Sequence, residues 1–216
     1  MLNGIKACIF DMDGTIIDSM GLWHDIDIAY FEKYNKQLPE DYQSKIEGMS
    51  MRQTAVFTRE TYGFSQSVDE IVDEWNQMAH DYYATRIEYK DNVVDFFEYL
   101  IKKGIKLGVA TSNSRFLFDA LSDSIGLGEY MDVVVTGEDV VHGKPDPECY
   151  ITAAGRLGVS PDECLVFEDI IVGINAAKSA GMKTCAVADS YSVSQWDKKV
   201  ELADFSIKGF IELIDN

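Results

Sequence analysis

The sequence predicts an α/β protein, a parallel sheet interrupted after its first strand by an all-helical insert. Three observations predict it. Short apolar runs closed by turn residues recur at residues 5–10, 106–110, 131–135, 164–167 and 183–187, each long enough for one strand buried on both faces. Helical spacing separates the last four runs, and strand–helix–strand order demands crossovers and hence parallel pairing. From Met20 to about Arg86 no strand-like run occurs at all.

The first run, Ile5 to Phe10, ends in Asp11-Met12-Asp13-Gly14-Thr15. A lone strand followed by helices has no partner, so it must join the later sheet. In the insert, Leu22, Trp23, Ile26, Ala29 and Tyr30 recur at helical spacing. Residues 41–47 form a short helical candidate after Pro39. Ser50 is placed to cap a helix closed by Gly63. Ser67 with Glu70 three residues on is a capping-box pattern opening a helix over 68–86. The insert, about seventy residues, has the size of a small domain. Residues 1–17 and 88–216 are expected to form the core and 18–87 a cap over its carboxyl edge, where lids gate sites from water. Beyond it, Val93 to Ile101 make a helical face closed by Gly104, residues 114–125 a helix ended by Gly126, and Pro147 opens another. Ile171, Ile174 and Ala177 mark a helix stopped by Gly181.

Nineteen basic against 37 acidic residues give a formal charge of −18. That balance argues against nucleic acid and anionic membrane as partners, since both need a basic face. It also requires an anionic substrate to be received by a local positive cluster. Cys8, Cys149, Cys164 and Cys185 lie far apart with no CxxC and read as reduced, buried thiols of a cytoplasmic protein. No signal peptide or membrane span is expected, and nothing demands more than a monomer.

Ligands bind parallel sheets at the carboxyl ends of the strands. Asp11 and Asp13, Thr111-Ser112-Asn113, Lys144-Pro145-Asp146 and Glu168-Asp169 all fall there. Four carboxylates at one edge repel each other if uncompensated. Mg2+ relieves this and prefers oxygen ligands. A threonine or serine at a helix mouth is a phosphate seat, and Lys144 supplies positive charge. The set suits a phosphoryl group attacked by a carboxylate. Asp11, the first residue after the strand, is the expected nucleophile and Asp13 the acid, then base, at the leaving oxygen.

These four motifs, in this order and with a helical insert between the first two, resemble the haloacid dehalogenase superfamily. The chain is most similar to its phosphatase and β-phosphoglucomutase-like subfamily with a helical cap. The resemblance implies a Rossmann-like core with an inserted all-α cap, and catalysis by Asp11, Asp13, Thr111 and Lys144, with Ser112 and Asn113 beside the phosphate. It implies Mg2+ held among Asp11, Asp13 (through its backbone carbonyl), Asp169 and Glu168. The subfamily often has serine after the acidic pair, where this chain has Ile170. In β-phosphoglucomutases a cap histidine falls about where Trp23 stands, with His24 one residue later, a turn of about 100° on a helix. Trp23 and His24 are candidate substrate contacts, each with a packing or surface alternative. Arg52 and Arg115 are candidates for a distal anionic group, or solvated helix charges. The expected function is a Mg2+-dependent phosphatase of a small phosphorylated metabolite, a sugar or polyol phosphate. The alternatives are a phosphomutase and a non-catalytic phosphate-binding protein on the same fold.

Overall fold

The computed structural model describes residues 1–214. β1 (Ala7–Phe10) leads directly into four helices: α1 (Met20–Lys33), α2 (Tyr42–Ile46), α3 (Met51–Tyr62) and α4 (Val68–Thr85). The chain then alternates through α5 (Val93–Lys102), β2 (Lys106–Ala110), α6 (Arg115–Ile125), α7 (Leu127–Tyr130) and β3 (Val133–Val135). It closes with α8 (Glu148–Leu157), β4 (Cys164–Glu168), α9 (Ile171–Ser179), β5 (Lys183–Val187), α10 (Trp196–Leu202) and β6 (Phe205–Ile207).

The six strands form one sheet in the order β3-β2-β1-β4-β5-β6, and every neighbouring pair is parallel. β1 is therefore central, and its alternating side chains feed two cores. Cys8 and Phe10 join one, where Phe10 stacks on Phe167 at 4.8 Å beside Phe96, Phe97 and Phe210. Ala7 and Ile9 join the other, with Tyr150 and Ala153 of α8. All four cysteines are buried and free. Among the described residues no helix is long and apolar enough to cross a membrane.

Local signals set the insert's helix ends. Ser50 and Ser67 cap α3 and α4, each completing a capping box with Gln53 or Glu70, and Gly63 closes α3 at φ 68°. The insert has its own aromatic core, in which Tyr30 packs on Phe64 and Trp75 at 5.2 and 5.4 Å. Its two connections to the sheet lie side by side, with Ile17 bridging Tyr89 and Lys90 N–H donating to Ile16 O at 2.9 Å. α4 packs along α6, where Ser114 Oγ and Asn76 Oδ1 form a buried bond of 2.7 Å.

Two expectations change. β3 begins at Val133 because the Asp132 side chain takes the Leu107 N–H at 2.9 Å. α10 and β6 follow the last expected strand and extend the sheet by one edge.

Candidate active site

The carboxyl ends of β1 and β4, adjacent at the centre of the sheet, bring three acids together. Asp11 leaves β1 with its N–H donating to Phe167 O at 3.0 Å. Carboxylate oxygens of Asp11, Glu168 and Asp169 lie within 4.8 Å of one another, all buried. Lys144, on the loop after β3, inserts its ammonium among them, donating to Asp11 Oδ1 at 2.6 Å and Glu168 Oε1 at 2.5 Å.

Burial pushes the Asp11 carboxyl up to about 7, against the pull of Lys144 and with repulsion from Glu168 added. Burial, then repulsion from Glu168 and Asp11, pushes Asp169 well above the usual carboxylate range. Burial also opposes the Lys144 charge, but Asp11 and Glu168 more than offset it and hold the ammonium above its ordinary value. One lysine thus stands against three carboxyls. The deficit of positive charge and the all-oxygen donor set fit a hard divalent cation.

The three acids are not equivalent. Tyr150 Oη donates to Glu168 Oε1 at 2.6 Å, while Oε2 takes the N–H groups of Asp169 and Ile170 at 3.1 and 3.3 Å. With Lys144 counted, each Glu168 oxygen holds two donors. Glu168 belongs to the trio whose oxygens could hold a metal, and its bonds also fix Lys144. Asp169 accepts from Thr15 Oγ1 at 3.0 Å, and its carbonyl takes Lys199 Nζ and Ser192 Oγ at 2.6 and 2.9 Å. Two glycines make room. A Cβ on Gly173 would sit 1.9 Å from Glu168 Oε1, and one on Gly14, at φ +76°, 2.4 Å from Asp169 Oδ2.

Asp13 stands apart from the trio. Its carboxylate accepts from Ser19 Oγ at 2.6 Å, Asn113 Nδ2 at 3.1 Å, Trp23 Nε1 at 3.4 Å and the Tyr83 hydroxyl. Its side chain is therefore not placed as a metal ligand here. Trp23 and Tyr83 come from α1 and α4, so the insert reaches into the site.

A cavity of about 550 Å3 opens over these groups, within the usual range for a small-molecule site. Asp11, Asp13, Thr111, Ser112, Asn113, Lys144 and Asp169 line its floor, and Trp23 and His24 line it from α1. Thr111 is buried and its Oγ1 accepts the Asn113 N–H at 3.0 Å. Ser112 Oγ contacts Gly48 O at 3.4 Å, so it ties the floor to the insert. Arg52 and Arg115 do not line the cavity. Arg52 pairs with Asp69 at 2.6 Å on the exposed surface, and Arg115 reaches Asp139 at 3.5 Å and Val134 O at 3.3 Å.

The sequence profile of the haloacid dehalogenase-like hydrolases matches residues 8–187. The chain belongs to that family. It is 33% identical over 180 residues to a phosphorylated carbohydrates phosphatase of Thermotoga maritima, covering 83% of each chain. It is 32% identical to pyrophosphatase PpaX of Bacillus cereus, covering 85% of this chain and 83% of that one. Among solved structures, CbbY of Rhodobacter sphaeroides in complex with phosphate is similar at a TM-score of 0.85 and 25% identity, covering 97% of this chain and 96% of that one. Tyr150, Thr15, Lys199, Ser192 and Tyr83 are site neighbours that sequence reasoning missed. Tyr150 and Tyr83 look like core aromatics until their hydroxyls are placed.

Proposed function

We propose that this haloacid dehalogenase-like phosphatase is Mg2+-dependent and hydrolyses a small phosphorylated metabolite, a sugar or polyol phosphate, through an aspartyl-phosphate on Asp11. The observation that carries the reading is the buried Asp11–Lys144–Glu168 bridge with Asp169 beside it, opening onto a ligand-sized cavity. We take residues 18–87 as the cap and 1–17 with 88–216 as the core.

Asp11, Asp169 and Glu168, with the Asp13 backbone carbonyl, are the groups that would hold Mg2+, which when bound would offset charge on the phosphoryl oxygens. Lys144 neutralises the nucleophile's surroundings and, fixed by Glu168, is positioned to stabilise charge that develops on phosphorus. An Asp11 oxygen forms a bond to phosphorus as the bond to the leaving oxygen breaks. Protonated Asp13 gives its proton to that oxygen. It then takes one from the water that attacks phosphorus, which frees Asp11 and releases phosphate. To reach the leaving oxygen, Asp13 exchanges a bond to Tyr83 or Trp23 for one to substrate.

Asp11→Asn is expected to abolish phosphate release from p-nitrophenyl phosphate with Mg2+ while the far-ultraviolet spectrum is unchanged; retained turnover removes Asp11 as nucleophile. Asp13→Asn is expected to slow esters with poor leaving groups most, and equal slowing of good and poor ones refutes its acid role. Chelation with EDTA is expected to stop turnover and Mg2+ to restore it.

A further inference from the structure

The far wall of the cavity, contributed by the insert, carries an unusual set of polar groups. Asp27 on α1 is 6% exposed and lines the cavity. Its Oδ2 takes Gln43 Nε2 at 2.5 Å, and its Oδ1 has no partner among the described residues. No lysine or arginine among the described residues pairs with it; Gln43 and the Tyr42 hydroxyl are its polar neighbours. Trp75 on α4 also lines the cavity and is 2% exposed, its indole N–H buried in the insert's core where the ring packs on Tyr30.

The charge of this wall is equally selective. Lys144 is the one lysine or arginine among the described lining residues, and Asp11 and Glu168 already hold it. The acids of the far wall are Asp27 and Glu47, the latter taking Gln195 Nε2 at 2.6 Å. A second phosphate or a carboxylate on the substrate would meet these acids with no lysine or arginine among the described lining residues free to receive it. Hydroxyl groups can donate to Asp27 and accept from Gln43. Burial pushes the Asp27 carboxyl up to about 7, so above neutrality it is the ionised carboxylate, which accepts from hydroxyls and repels a second anion.

We propose that Asp27 is the specificity residue of the cap, selecting phosphomonoesters whose leaving group is neutral and polyhydroxylated and rejecting those with a second anionic group. The inference rests on the phosphatase reading and names its substrate class. It excludes the bisphosphate chemistry a mutase needs, because a bound bisphosphate would set its second phosphate against this wall. Sites that hydrogen-bond a substrate hydroxyl discriminate strongly against analogues that leave those groups unpaired, and repulsion adds to that discrimination.

The test uses a matched pair, glucitol 6-phosphate and 6-phosphogluconate, which differ by a hydroxymethyl against a carboxylate. The wild-type kcat/KM ratio is expected to favour glucitol 6-phosphate at least about tenfold. Asp27→Leu is expected to lower that ratio about tenfold, a change that a general loss of activity would not produce. Where that variant fails to fold, Asp27→Asn, which keeps the shape and removes only the charge, is expected to lower the ratio about fivefold at pH 8.5. A wild-type ratio at or below one overturns the proposal, as does a ratio unmoved by Asp27→Leu or, in its place, by Asp27→Asn. p-Nitrophenyl phosphate in the same preparation separates the two readings. If it too is not hydrolysed, the phosphatase reading fails, and calorimetric titration of both ligands onto the Mg2+-loaded protein decides the wall alone: preference for glucitol 6-phosphate supports it, and equal or reversed affinity overturns it.

Discussion

Asp27 offers a prediction that needs no substrate. Its carboxyl is buried and its main compensation is one bond from Gln43, so burial raises it from 3.8 to about 7. The sign follows from which form the fold prefers. A carboxyl raised on folding binds its proton more tightly in the native state, so it carries no penalty below its unfolded value. The penalty grows as pH rises toward 7 and is complete above it. The full rise corresponds to about 4 kcal/mol at about 1.4 kcal/mol per pH unit, a ceiling because water reaching the carboxylate lowers it. Asp27→Asn keeps the shape and the acceptor for Gln43 but never ionises. The variant should therefore be more stable than the wild type at pH 8.5, and its advantage over the wild type should be larger there than at pH 5 by about 2.5 kcal/mol. Urea unfolding at the two pH values, followed by tryptophan fluorescence, measures both differences. An advantage that does not change with pH, or a variant less stable than wild type at pH 8.5, refutes the reasoning.

Lys144→Met leaves Asp11 and Glu168 facing each other without the ammonium that both now share. Loss of one partner of a buried ion pair costs about 3–5 kcal/mol, so urea unfolding should show a loss of that order along with loss of p-nitrophenyl phosphate turnover. Gly173→Ala drives a methyl to within 1.9 Å of Glu168 Oε1; Glu168 must move and Lys144 with it, and kcat should fall further than KM rises. Arg52→Ala removes an exposed pair with Asp69, worth about 0–1 kcal/mol, and kcat/KM should stay within about twofold of wild type.

The sheet was legible because each of its inner strands is a short apolar run stopped by polar residues. β6 was not, because Phe205-Ser206-Ile207 is too short to read as a strand until β5 supplies a register for it. Asp11, Lys144, Glu168 and Asp169 could be gathered from sequence because strand ends of one parallel sheet share an edge. What Glu168 does there could not, since it depends on the Tyr150 hydroxyl reaching across from α8. Arg52 shows the limit in the other direction. A charged residue on a short amphipathic helix has a plausible ligand-facing role until the helix is docked, and here it docks with that face outward.

The Ile17–Tyr89 bridge makes the two crossings between the halves of the molecule one strap rather than two strings. Lys90 knots it further, gripping Gly14 O and Asp189 Oδ2 at once, the latter at 2.7 Å. Besides that strap, the insert and the sheet half also meet through small polar contacts, Gln195 to Glu47 and Ser112 to Gly48, and through the buried Ser114–Asn76 bond.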